Sequence, residues 1–151
     1  MRLGIRLGVD VGRVRIGIAV SDPAGMLATP VENVQRGDGD VERLAELVKE
    51  REVIEVVMGF PRSLSGQEGP AAKEVRAFAA KLTQYVEPCP VRLVDERLTT
   101  SGAMRAMRAS GVSARKGRKS VDQAAAMMIL QDALDAERAS GVPPGEVVTR
   151  S

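Results

Sequence analysis

Three carboxylates stand where their neighbours could put them to chemical use: Asp10, Glu96 and Asp122. Asp10 lies in the run Gly8-Val9-Asp10-Val11-Gly12, where period-two alternation gives it the same sheet face as Gly8 and Gly12. Across a predicted hairpin, Gly17 and Ala19 flank it. A carboxylate among residues with little or no side chain has open space above it for something bulky to approach. Glu96 follows a short apolar run at a strand end, where ligands gather in α/β sheets. Asp122 stands in the first turn of the last predicted helix, just ahead of an apolar stretch over 124–130.

Taken singly, each has an ordinary explanation: a turn-capping Asp10, a surface Glu96 paired with Arg97, and an Asp122 favoured by the helix dipole. Together, carboxylates at the ends of two strands and a buried helix can converge on one point. Converging carboxylates repel unless cations neutralise them. Mg²⁺ or Mn²⁺ suits an all-oxygen site. A pair of such ions ~3.5–4 Å apart activates a water and stabilises the leaving oxygen of a phosphodiester.

Composition leaves that chemistry open while closing others. The 151 residues include no histidine and one cysteine, Cys89. Ser-His-Asp and Cys-His nucleophilic catalysis, His-ligated zinc and cysteine-rich zinc sites are therefore excluded. Aromatics make up 2% of the chain, too few for a base-stacking platform of the RRM or OB type. A lone cysteine forms no intramolecular disulfide and fits a reducing cytoplasm. The opening MRLGIRLGVD lacks a signal peptide's apolar block, and no apolar run is long enough for a membrane span, so a cytoplasmic location without a membrane partner is expected.

The net charge of +2 hides clusters of cations. Between Arg105 and Lys119 stand Arg105, Arg108, Arg115, Lys116, Arg118 and Lys119 without an acid, the last four in a predicted loop just before Asp122. Arg13 and Arg15 flank the hairpin beside Asp10, and Arg97 follows Glu96. Alone, a basic run reads as a solvated loop. Beside three carboxylates, Arg13, Arg15, Arg97, Arg115, Lys116, Arg118 and Lys119 read as a grip on a phosphate backbone.

The elements that must position these groups can be read from periodicity and punctuation. Residues 3–10 and 15–21 alternate and form a hairpin, and 29–35 make a weaker third strand. Asp40 is the expected N-cap of a helix reaching about 51. A β-branched strand over 53–59 precedes a Gly/Ser-rich loop over 61–69, and Pro70 opens a helix to about 85. A strand over 91–95 is followed by a helix from about 99 to 110, which Gly111 stops. Ser120-Val121-Asp122-Gln123 is a capping box for a last helix to about 140, apolar on every face over 124–130 and so expected to pack on more than one side. The order predicts one α/β domain over 1–140: a mixed five-stranded sheet, antiparallel hairpin strands plus parallel strands, flanked by helices. Residues 141–151 are expected to be a flexible tail.

Four motifs in this order resemble the YqgF/RuvX family. They are Gly8-Val9-Asp10-Val11-Gly12 with Ile16 to Asp22, Gly59-Phe60-Pro61 with Gly66, Gly69 and Pro70, Asp95-Glu96-Arg97-Leu98-Thr99-Thr100, and Val121-Asp122 with Ala125, Ala126, Ile129, Leu130 and Gln131. The likeness runs from about residue 5 to 135. It implies an RNase H-like fold and a Mg²⁺- or Mn²⁺-dependent nuclease, described both as a Holliday junction resolvase and as the enzyme maturing the 5′ end of the small-subunit rRNA precursor. The family's acidic triad falls on Asp10, Glu96 and Asp122. Two departures touch phosphate contacts rather than the triad: Val14 stands where relatives carry a Lys, and Ser63 and Ser65 stand where many have Asn.

The leading expectation is thus a metal-dependent endonuclease acting on branched DNA, an rRNA precursor or both. A non-catalytic nucleic-acid-binding module of the same fold is the alternative. An ATPase of the actin/sugar-kinase type is a third reading, set aside because such enzymes use two domains of this kind. Symmetric cutting of two strands predicts a twofold homodimer, with Cys89 a conjectural bridge.

Overall fold

The sheet is built by alternation between large and small side chains. In the computed structural model, residues 1–61, 67–95 and 118–148 are described, apart from the side chains of 118–122. Six strands lie in the order β3-β2-β1-β4-β5-β6: β1 (Arg6–Val11), β2 (Arg15–Ser21), β3 (Ala28–Gln35), β4 (Glu55–Phe60), β5 (Val91–Asp95) and β6 (Glu146–Val147). Strands β1, β2 and β3 form an antiparallel meander, while β1, β4 and β5 run parallel. The expected mixed α/β sheet flanked by helices is present, with one more strand than the five expected. That strand comes from the segment assigned to the tail. Gly145, at φ +82°, makes the turn into it, and a Cβ there would lie 2.0 Å from the Leu93 carbonyl oxygen. Only glycine permits that approach. Two residues without hydrophobic alternation leave no strand signal in the sequence.

One face of the sheet carries Leu7, Val9 and Val11 of β1, Ile16, Ile18 and Val20 of β2, and Val56, Met58 and Phe60 of β4. They pack under α1 (Asp40–Glu50) and α2 (Pro70–Val86), whose inward residues include Leu44, Leu47, Val75, Phe78 and Leu82. Helix α1 starts at Asp40 itself, with Gly39 (φ +89°) at the N-cap. Asp40 is therefore the first helical residue, and its carboxylate accepts from the Gly37 and Val41 amides at 3.1 and 2.7 Å.

The opposite face is lined with small side chains and carries α3 (Arg118–Ser140). Ala19, Val57 and Val94 meet Ala126, Ile129, Leu130, Ala133 and Leu134 there. A Cβ on Gly8 would lie 2.6 Å from the Leu130 Cβ and 2.9 Å from the Ala126 carbonyl oxygen, so the helix rests on the bare strand. The helix buries one stripe, with Ala124, Met127 and Met128 only half-buried beside it. The predicted helix over 99–110 lies outside the described residues.

Helix α3 runs antiparallel to β1. Ala126 and Leu130 lie over Gly8, while Glu137 reaches the start of the strand, where its carboxylate meets Arg2 at 2.9 Å and Arg6 at 3.3 Å. Glu55 joins that cluster, 3.0 Å from Arg2 and 3.0 Å from Arg92. Arg6, Glu55 and Glu137 are all buried. The Arg2 hydrogen bonds hold the Glu137 carboxyl down to about 2. This cluster ties the last turns of α3 to β1, β4 and β5 and fixes where its first turns stand.

Candidate active site

Asp10 is the penultimate residue of β1, 2% exposed, at the end of the sheet where the parallel strands terminate. Strand register pairs it with Gly17 and pairs Gly8 with Ala19, so the small neighbours expected around this carboxylate are present, but the space expected above them is filled by α3, which rests on Gly8 and Ala19. Its parity puts it on the α3 face with Gly8. Beyond it the chain turns sharply. The Gly12 amide donates to the Arg15 carbonyl at 3.0 Å, and a Cβ on Gly12 would lie 2.7 Å from that same oxygen.

Helix α3 leads back toward Asp10. Two residues along β1 from Gly8 to Asp10 cover about 6.6 Å. Four residues back along the helix from Ala126 to position 122 cover about 6 Å in the same direction. The second turn of α3 thus stands level with Asp10. The chain is already helical at Arg118, two residues before the capping box at Ser120, so Asp122 is not part of the helix's first turn. The pull of the helix dipole on anions falls off within that first turn and no longer accounts for an Asp here.

Glu96 directly follows Asp95, the last residue of β5, and lies outside the described residues, as do Arg97, Arg115 and Lys116. Arg118 and Lys119 open α3 rather than a loop, and their side chains, like that of Asp122, are not described. Arg13 is exposed at the hairpin tip, and Arg15 is half-buried at the start of β2. Among the described residues no group of three possible metal ligands occurs. Asp10 is the described member of the expected triad.

Other motif residues prove structural. Ser21 accepts the Arg6 amide at 2.9 Å, and Asp22 Oδ1 accepts from the Met26 and Leu27 amides. Those bonds keep the Asp22 carboxyl below its ordinary value. Gln131 clamps the same turn to α3 through Met26 and Ala28. Cys89 precedes β5 and so lies at the far end of the sheet from Asp10. Burial pushes its thiol up to about 11, which suppresses the thiolate that disulfide exchange requires.

Two arginines near the hairpin and β4 escaped the sequence reading, Arg36 and Arg76. Arg36 donates to the Gly12 carbonyl at 2.8 Å and lies over the Phe78 ring at 5.4 Å. Arg76 lies over the Phe60 ring at 4.7 Å. Both phenylalanines of the chain thus carry a guanidinium. Their scarcity was the one available signal, and periodicity does not name the partner of a long side chain.

Comparison with known proteins adds three findings. The profile of the family described as "RuvX: Holliday junction resolvase" matches residues 4–136. A protein of Nocardioides sp. named "Putative pre-16S rRNA nuclease" is 56% identical, over 98% of each chain. One of the same name from Streptomyces avermitilis is 59% identical over 98% of this chain and 96% of its own. Among solved structures, T. thermophilus RuvC in complex with a Holliday junction substrate superposes with a TM-score of 0.56 over 95% of this chain and 99% of its own, at 13% identity, a likeness of fold.

Proposed function

Because the chain belongs to the RuvX family of Holliday junction resolvases, we propose that it is a divalent-metal-dependent endonuclease that hydrolyses phosphodiesters in structured nucleic acid, branched DNA or the small-subunit rRNA precursor. The observation that carries this reading is Asp10: a buried carboxylate on a floor of glycine and alanine, at the terminating end of parallel strands and level with the second turn of α3. The donor set fits a hard cation. It is all oxygen, the chain has no histidine, and its one thiol stands at the other end of the sheet.

Asp10, Glu96 and Asp122 are the residues that would hold Mg²⁺ or Mn²⁺, in a pair of ions. Bound there, the metal supplies an activated water and charge neutralisation at the leaving oxygen. The protein's own part is positional. The small residues Gly8 and Ala19 let α3 come down onto the sheet, which brings its second turn level with the Asp10 carboxylate. Arg13 and Arg15 beside it, with Arg97, Arg115, Lys116, Arg118 and Lys119, neutralise the flanking phosphates. Such contacts read backbone rather than base edges, so DNA and RNA both meet them. Two symmetric cuts would use a twofold homodimer. The substrates put the enzyme in the cytoplasm.

The test is cleavage of a four-way DNA junction and of precursor rRNA, each with Mg²⁺ and with Mn²⁺. Asp10→Asn is expected to lower the rate about 10³-fold or more while binding persists, since the phosphate contacts remain. Equal cleavage by a clean Asp10→Asn preparation refutes the reading. Binding without cleavage by the unmodified chain under every condition favours the non-catalytic module instead.

A further inference from the structure

The connection between β4 and α2 leaves the sheet from Phe60, the last residue of the strand lying between β1 and β5. It returns at Gly69, ahead of Pro70. One side chain touches both of its ends. Arg76, in the second turn of α2, lies over the Phe60 ring at 4.7 Å and holds Glu68 through a two-pronged pair, Nε to Oε1 at 3.1 Å and Nη2 to Oε2 at 2.8 Å. The same Nη2 reaches Glu146 of β6 at 3.2 Å. Pro61 and Pro70, at the two ends of the connection, also line a cleft of about 170 Å³ with Val11, Gly12 and Arg13, the residues that follow Asp10 toward the hairpin tip.

As a stability device this arrangement is poor. The side chains of Arg76 and Glu68 are 40% and 33% exposed, and ion pairs so exposed contribute little to folding. As a positioning device it is well made. A planar guanidinium stacked on a buried ring and forked onto a carboxylate has its place and its plane fixed, which a lysine cannot reproduce. We infer that Arg76 is a positioning residue for the proposed hydrolysis: by holding Phe60 and Glu68 it fixes the ends of the connection, whose Pro61 and Pro70 form one side of the cleft, while Val11, Gly12 and Arg13, which follow Asp10, form the other. The inference rests on the nuclease reading above. It assigns Arg76 no contact with the nucleic acid: Nε and Nη2 are engaged by Glu68 and Glu146.

The experiment is steady-state cleavage of the better substrate by the full chain carrying Arg76→Gln, Arg76→Lys, Glu68→Gln or Glu146→Gln, with thermal melting of each. Loss of the fork is expected to lower kcat roughly tenfold in Arg76→Gln, Arg76→Lys and Glu68→Gln, with KM changed less than about twofold, since small misplacements cost rate before affinity. The double variant Arg76→Gln/Glu68→Gln is expected to be no slower than either single one, because both remove the same contact. Glu146→Gln, which leaves the fork intact, is expected to keep its rate. Should Arg76→Gln fail to fold, Glu68→Gln reads the same contact from the other side. Unchanged kcat in the fork variants beside active unmodified chain overturns this inference alone. Recovery of full kcat by Arg76→Lys also overturns it, since charge would then suffice. No cleavage by the unmodified chain overturns the nuclease reading and this inference with it.

Discussion

The two ends of the sheet treat buried acids in opposite ways. Where β1 and β4 begin and α3 ends, Glu55 and Glu137 are enclosed by Arg2, Arg6 and Arg92 at 2.9–3.3 Å. Where β1 ends and α3 begins, Asp10 lies among Gly8, Gly12, Gly17 and Ala19. One helix serves both ends, clamped at one so that its first turns are held at the other. Arginines packed around one pair of acids lock the end of the helix, whereas glycine and alanine beside the other acid let the start of the helix come close to the strand.

Substitutions at the two ends should separate activity from stability, and that is the sharpest way to break the comparison. Asp10→Asn is expected to abolish cleavage, by about 10³-fold or more, and to leave thermal melting nearly unmoved. Glu137→Ala is expected to do the reverse. Removing one member of a buried pair strands the Arg6 charge and costs about 3 kcal/mol, the low end of the usual range because Arg2 is 40% exposed and can hydrate. That corresponds to a Tm lower by roughly 6–12 °C for a chain of this size. Equal melting and lost cleavage in Glu137→Ala would erase the distinction.

The floor itself offers the next test. Gly8→Ala sets a methyl 2.6 Å from the Leu130 Cβ, which α3 must yield to accommodate. Overpacking of this kind costs about 1–3 kcal/mol. Because the added methyl also lies 2.9 Å from the Ala126 carbonyl oxygen, one turn from position 122, cleavage is expected to fall by more than melting alone explains, read as rate per folded molecule at a temperature well below Tm.

Acid should reach the clamped end in a defined window. The Glu137 carboxyl is lowered from 4.5 to about 2 in the folded protein, mainly by its hydrogen bonds to Arg2. Its contribution to stability is therefore complete above the ordinary carboxylate value and is lost as pH falls through about 2. Denaturant melts between pH 5 and 2 are expected to show a falling stability, with a shallower fall in Glu137→Gln. The smallest effect concerns Arg13: Arg13→Ala should raise KM a few-fold, leave kcat near its starting value and reduce the salt slope of binding by about one.

Much of this organisation was legible in the sequence because it is local. Alternation over 7–20 assigns Asp10 its face and its glycine neighbours, and hairpin register follows from the same pattern. Pro70 and the apolar spacing mark α2 nearly to the residue. What escaped depends on contacts across long stretches of chain. Glu137 meets Arg2 across 135 positions, and no periodicity names such a partner. β6 is two residues held by a glycine turn, too short to alternate. The start of α3 misled through a capping box that proved internal. Arg76 is hidden for a further reason: in sequence it is one arginine of an amphipathic helix, and only the fold puts Phe60 and Glu68 on either side of it.

The most direct test of the central claim is anomalous diffraction from crystals soaked in Mn²⁺. Density is expected against the Asp10 carboxylate, with Glu96 and Asp122 as its other protein ligands, and none at Glu55 or Glu137, whose oxygens already face arginines. A Mn²⁺ ion bound elsewhere, or Asp10 bare of metal in a protein that cleaves its substrate, would contradict it.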